Sequence, residues 1–180
     1  MKKLFLFFAL LPAFAFAQNA VVIVMPGYSF ASKMQGPALS VNYSQAWKGK
    51  SGYSQHWTWQ VGLASYNGAE KEVDFEPFQD QAFCDMLSVG VGFQQLLGER
   101  WKAEAEVFTG FIYHHSAKQG ATSYFSAELG SLFLGANLRI GYRIGEHFGL
   151  GLYSTCLMPS SNFPFGRPMG TAGIDFYWSL

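Results

Sequence analysis

Hydrophobic and polar residues alternate along almost the whole chain, with a period of two. The stretch from Leu132 to Ile144 shows it most clearly. Leu132, Leu134, Ala136, Leu138, Ile140, Tyr142 and Ile144 fall on one side of an extended chain. Phe133, Gly135, Asn137, Arg139, Gly141 and Arg143 fall on the other. Successive side chains of a β-strand point to opposite faces, so this pattern predicts strands with one apolar and one polar face. The same pattern predicts eight strands, at roughly 20–32, 37–48, 55–66, 82–96, 101–113, 131–144, 147–157 and 169–179.

The connections alternate in length. Short, turn-like links stand at 49–54, 97–100 and 145–146, and longer polar ones at 67–81, 114–130 and 158–168. Only the first, near 33–36, is short where the alternation calls for a long one. An even number of antiparallel strands with short turns at one end and long loops at the other predicts an all-β fold, an eight-stranded antiparallel up-and-down transmembrane β-barrel.

Alternation alone leaves open which face is outside, because a soluble barrel alternates too. Two features put the apolar face outward. Glycines at 90, 92, 135, 141, 149 and 151 crowd the polar face. They weaken a water-facing strand but suit a narrow lumen. The tryptophans Trp47, Trp57, Trp59, Trp101 and Trp178 all fall on the apolar face, toward the short-turn end, with Tyr142 and Phe148 beside them. Amphipathic rings gathered at one level of an apolar surface read as an interfacial girdle.

Composition sharpens this picture. Charged residues are 13% and aromatics 18% of the chain, against a charged share near 25% in soluble domains. The formal net charge is zero, so nothing points to nucleic acid as a partner. The chain opens MKKLFLFFALLPAFAFA, a basic start, an apolar run and a small-residue site at Ala15-Phe16-Ala17. The run is too short to span a bilayer as a helix. It reads as a cleaved signal peptide over 1–17, leaving a single barrel domain over 18–180. The two cysteines, Cys84 and Cys156, permit a disulfide in an exported chain. Their strands are not neighbours, so they are expected to be unpaired.

On the inward face the charges need partners, since an unpaired buried charge is costly. The lumen is expected to hold Lys102, Glu104, Glu106, Arg139, Arg143 and Asp175 as a charge network. Same-face pairing of the fifth and sixth strands sets Glu106 opposite Arg139, with Lys102 and Glu104 near Arg143. Eight strands leave room only for the barrel's own side chains, which predicts a plugged lumen.

The signal peptide, eight alternating strands, aromatic level and C-terminal strand GIDFYWSL resemble the small outer-membrane β-barrels of Gram-negative bacteria. That family's last strand commonly ends in an aromatic residue; this one ends Trp178-Ser179-Leu180. The resemblance implies an outer-membrane location, long loops facing outward and both termini in the periplasm. Outer-membrane lipid, and other outer-membrane proteins, would then be the partners.

One constellation carries candidate chemistry. In the run YHHSAKQG, His114 and Ser116 occupy alternate positions, and Glu128 follows. A histidine that deprotonates a serine and is oriented by an acid suits acyl transfer. The run resembles the motif of lipid A 3-O-deacylase barrels, which implies His114 as base, Ser116 as nucleophile and Glu128 as orienting acid. Ala117 stands where that family has asparagine, and the motif lies farther from the C-terminus than the family places it. The favoured expectation is therefore a non-enzymatic barrel, with the hydrolase as its alternative. The histidines and cysteines have no metal-ligand spacing, and no phosphate-binding glycine loop occurs, so no cofactor is expected. The acidic stretch AEKEVDFEPFQD, 69–80, reads as a solvated loop.

Overall fold

A computed structural model describes residues 20–30, 34–46, 55–70, 80–117, 126–160 and 168–180. Their side chains are described too, except at 34, 68–70, 80–83, 114–117 and 126–130. Eight strands follow one another: β1 (Ala20–Phe30), β2 (Met34–Ala46), β3 (Gln55–Glu70), β4 (Asp80–Leu97), β5 (Trp101–Ala117), β6 (Ser126–Arg143), β7 (Phe148–Pro159) and β8 (Met169–Ser179). Each pairs antiparallel with its sequence neighbour, and β1 pairs with β8 to close the barrel. Closure leaves no open edge, so the backbone groups of every strand find partners within the wall.

The apolar face is outside. Leu138 and Leu152 are 64% and 67% exposed, while Arg139 between them in register is 3% exposed. On β5 the outward residues run from Trp101 to Phe111, about 33 Å along a strand and about 25 Å once the strand tilts. An apolar surface this continuous suits a bilayer rather than water.

The middle four strands are longer than expected at the long-loop end. β3 continues to Glu70, β4 begins at Asp80, β5 continues to Ala117 and β6 begins at Ser126. Outward residues there turn polar, at Ser65 and Asp85. The apolar band therefore stops before the strands do, because the neighbouring strand goes on satisfying backbone donors and acceptors. At the other end the connections are tight. Leu97 pairs with Trp101 around a turn in which Gly98 takes φ +77°, a left-handed conformation that favours glycine.

The two cysteines face opposite ways. Cys84 is buried in the lumen and Cys156 is exposed on the outer face.

Candidate functional site

The lumen is layered. Toward the long loops it is apolar: Tyr66, Met86, Phe108, Phe133, Leu157 and Met169 pack together with Ala64, Cys84 and Ile112. Phe108 fits because glycines flank it on both neighbouring strands. A Cβ at Gly90 would come within 2.6 Å of it, and one at Gly135 within 2.5 Å.

Below this layer lies a buried polar network centred on Arg139. Its Nη2 contacts Glu104 Oε2 at 2.6 Å and Glu106 Oε1 at 3.0 Å. Thr58 donates to Glu104 at 3.2 Å, and Asn137 donates to Glu106 at 2.9 Å. Thr155 in turn donates to Asn137 Oδ1 at 3.1 Å. The Gln60 amide lies 3.2 Å from Asn42. With its nitrogen turned toward Glu106, it reaches both carboxylate oxygens, at 3.0 and 3.1 Å. Asp175, 1% exposed, interacts electrostatically with Arg139 and Lys102. Among the described residues Arg139 Nε and Nη1 and Asp175 Oδ1 have no hydrogen-bond partner. The space left between the polar and apolar layers is a cavity of ≈ 10 Å³, lined among others by Asn42, Gln60, Tyr66 and Phe108. That is about the volume of one water.

The strand register corrects the expected pairings. Glu104, not Glu106, lies opposite Arg139, and Glu106 lies opposite Asn137. Both acids still reach Arg139, Glu106 by a diagonal contact. Lys102 pairs with Gly141, two residues from Arg143 on the same face, and both side chains line the short-turn mouth. Arg143 is exposed and donates to the Glu99 carbonyl at 2.8 Å. It stands outside the buried network because it is the last residue of β6, at the lip.

At that short-turn mouth a pocket of ≈ 350 Å³ opens, lined by Arg100, Lys102, Arg143, Tyr177, Gln94 and Glu99 among others. The Lys102 ammonium sits 3.5 Å from the centre of the Tyr177 ring. The Tyr177 hydroxyl is buried without a hydrogen-bond partner among the described residues. It lies against Gly149, where a Cβ would come within 2.1 Å of it. Arg100 turns to the outer wall and donates to the Tyr142 hydroxyl at 3.1 Å. A neighbouring groove on the same lip, lined by Glu99, Arg100, Arg143 and Glu146, balances its charges.

The aromatic residues on the outer wall stand near the same lip. Trp57 packs edge-on to Phe93, Trp101 edge-on to Tyr142, and Trp178 meets Phe148 and His147. Trp59 tilts against Tyr43, and Trp47 lies outside the described residues.

The side chains of His114, Ser116 and Glu128 also lie outside the described residues. The backbone pairs His114 with Glu128 and Ser116 with Ser126, past an irregularity between Ile112 and His114. No group of three or more His, Cys, Asp or Glu among the described residues is placed to hold a metal ion. The polar belt of Thr58, Gln60, Asn42 and Thr155 did not figure in the expected network. In β3 it was readable, since Thr58 and Gln60 alternate with Trp57, Trp59 and Val61.

No family model matches the sequence, and no curated protein does either. Solved structures do match the fold. The Neisserial surface protein A matches with a TM-score of 0.58 at 10% identity, over 89% of this chain and 96% of that one. The attachment invasion locus protein Ail of Yersinia pestis, solved with the heparin analogue sucrose octasulfate, matches at 0.58 and 8% identity, over 91% and 99%. The outer membrane enzyme PagL matches at 0.58 and 14% identity, over 89% and 99%. The closed ring of eight antiparallel strands with its apolar face outward therefore has the fold of the small eight-stranded outer-membrane β-barrels.

Proposed function

We propose that the chain is a non-enzymatic outer-membrane barrel whose lumen is plugged by its own side chains. In this reading it serves as a structural element, a surface-binding scaffold or a subunit of a membrane assembly. The observation that carries it is the filled interior. A cavity of only ≈ 10 Å³ lies between the apolar layer and the Arg139 network, and a space that small supports a lumen closed to hydrated ions. Export would remove residues 1–17, the long connections would face outward, and both termini would lie in the periplasm. Trp57, Trp101, Tyr142, Phe148 and Trp178 would then form the girdle at the periplasmic interface. Protein isolated from the outer-membrane fraction should begin at Gln18 and show no steady conductance in planar bilayers. A large, stable conductance from the purified monomer would overturn the plugged lumen.

One observation favours a second reading, a lipid-processing hydrolase. The β5–β6 pairing sets His114 across from Glu128, two residues from Ser116. The expected result on expression is lipid A with all its acyl chains intact by mass spectrometry. Release of a 3-linked chain that stops in Ser116→Ala would replace the first reading with the second.

A further inference from the structure

We propose that the short-turn mouth of the barrel is a binding pocket for a phosphate group carried on a small organic moiety. Its lining includes two inward-facing cationic side chains, Lys102 and Arg143, and a single carboxylate, Glu99; Arg100 borders it but turns to Tyr142 on the outer wall. Among the described residues neither Lys102 nor Arg143 has a carboxylate within ion-pair distance. Arg143 donates to the Glu99 backbone carbonyl at 2.8 Å and makes no ion pair with its carboxylate. Farther in, the Lys102 ammonium rests on the Tyr177 ring at 3.5 Å. Lys102, which Glu104 and Asp175 offset in part from deeper in the lumen, and Arg143 at the lip give this concavity a positive potential that an anion relieves.

Two details turn this from a charged rim into a site. The Tyr177 hydroxyl is buried and lacks a partner among the described residues, a cost that native structures rarely leave uncompensated. It stands on β8 across Gly149 from Arg143, for Gly149 pairs with both residues. A guanidinium fork, an ammonium and a hydroxyl donor thus gather around one volume. That set matches a tetrahedral oxyanion with up to two charges. The pocket of ≈ 350 Å³ falls within the range of small-molecule sites and exceeds what a bare phosphate fills. Val21 and Leu96 supply apolar lining for the remainder. The ligand is therefore a phosphorylated small molecule or the headgroup of a phospholipid, which share this chemistry.

The test uses the mature full chain in maltoside micelles, which contain no phosphate, with inorganic phosphate and glycerol 3-phosphate titrated by calorimetry. Saturable binding is expected, tighter for glycerol 3-phosphate and weakening as salt rises. Arg143→Gln and Lys102→Met should each weaken it about tenfold or more, since each removes a charge-assisted contact. Arg143 is exposed at the lip, so its variant should keep the unheated gel mobility of the folded barrel and report on binding alone. Reconstitution into vesicles with or without phosphatidic acid separates the two sources. Loss of glycerol 3-phosphate binding only in phosphatidic acid vesicles identifies a lipid headgroup; binding retained in both identifies a soluble ligand. No saturable binding of either probe, or binding unchanged in both variants, overturns the proposal.

Discussion

Arg139→Met should destabilise the barrel by about 3–5 kcal/mol or more, the range typical of breaking a buried ion pair from one side. Arg139 is 3% exposed and is the cation contacted by both Glu104 and Glu106. Methionine keeps much of the volume but strands two carboxylates at 5% and 3% exposure, with Asp175 also nearby. A strict one-to-one pair would be rescued by deleting its single acid. Here the geometry demands both, so Arg139→Met with Glu106→Gln should recover only part of the loss. The triple variant that adds Glu104→Gln should recover most of it. Urea unfolding in detergent, followed by tryptophan fluorescence, measures the series. A single Arg139→Met variant as stable as the parent would show that the network contributes nothing to stability.

Gly173→Ala should be among the most damaging of the small changes in the wall. Gly173 pairs with Gly27 across the β1–β8 junction. A Cβ at 173 would stand 2.2 Å from the Pro26 carbonyl oxygen and 2.6 Å from Gly27 Cα. Both are backbone atoms, so no side-chain rotation relieves the clash and the two strands must separate. Overpacking of this kind costs typically about 1–3 kcal/mol, and a strained closing junction belongs at the upper end. Gly145→Ala is the natural control, because a Cβ there meets nothing within 4 Å. The temperature at which the folded gel band disappears should fall for Gly173→Ala and stay put for Gly145→Ala. Equal temperatures for the two would refute the close-packing argument.

What the sequence revealed followed from period two, and what it hid lay where that period or its punctuation failed. Short links fixed the strand starts at Gln55 and Trp101, where the expected and observed boundaries agree. The β5–β6 register, by contrast, hangs on the long 114–130 connection, which has no short turn to set it. The same-face parity came out right, yet the pairing slipped by two residues, moving Arg139 from Glu106 to Glu104. The apolar layer of the lumen was hidden for another reason. At Phe111-Ile112 and Leu157-Met158 both faces are greasy, so those pairs carry no sign of which residue points inward, whereas the longer run around Phe133 set it on the inward face. Arg143 was legible as inward but not as exposed, since alternation gives a direction and not a depth.

Pro26 also bears on the order in which the barrel is made. Seven of its junctions join strands consecutive in sequence, but the eighth must bring Val21 to Ser179. Gathering so long a segment costs about 3 kcal/mol more than closing a four-residue turn, because loop entropy grows with the logarithm of length. That junction should therefore be the last to form, and until then β1 and β8 are open edges on which a second unfinished chain can assemble. The ladder between them skips Met25 and Pro26, and proline brings no N–H to offer a stranger. The residue that interrupts the finished junction thereby blunts the edge while the sheet is still open.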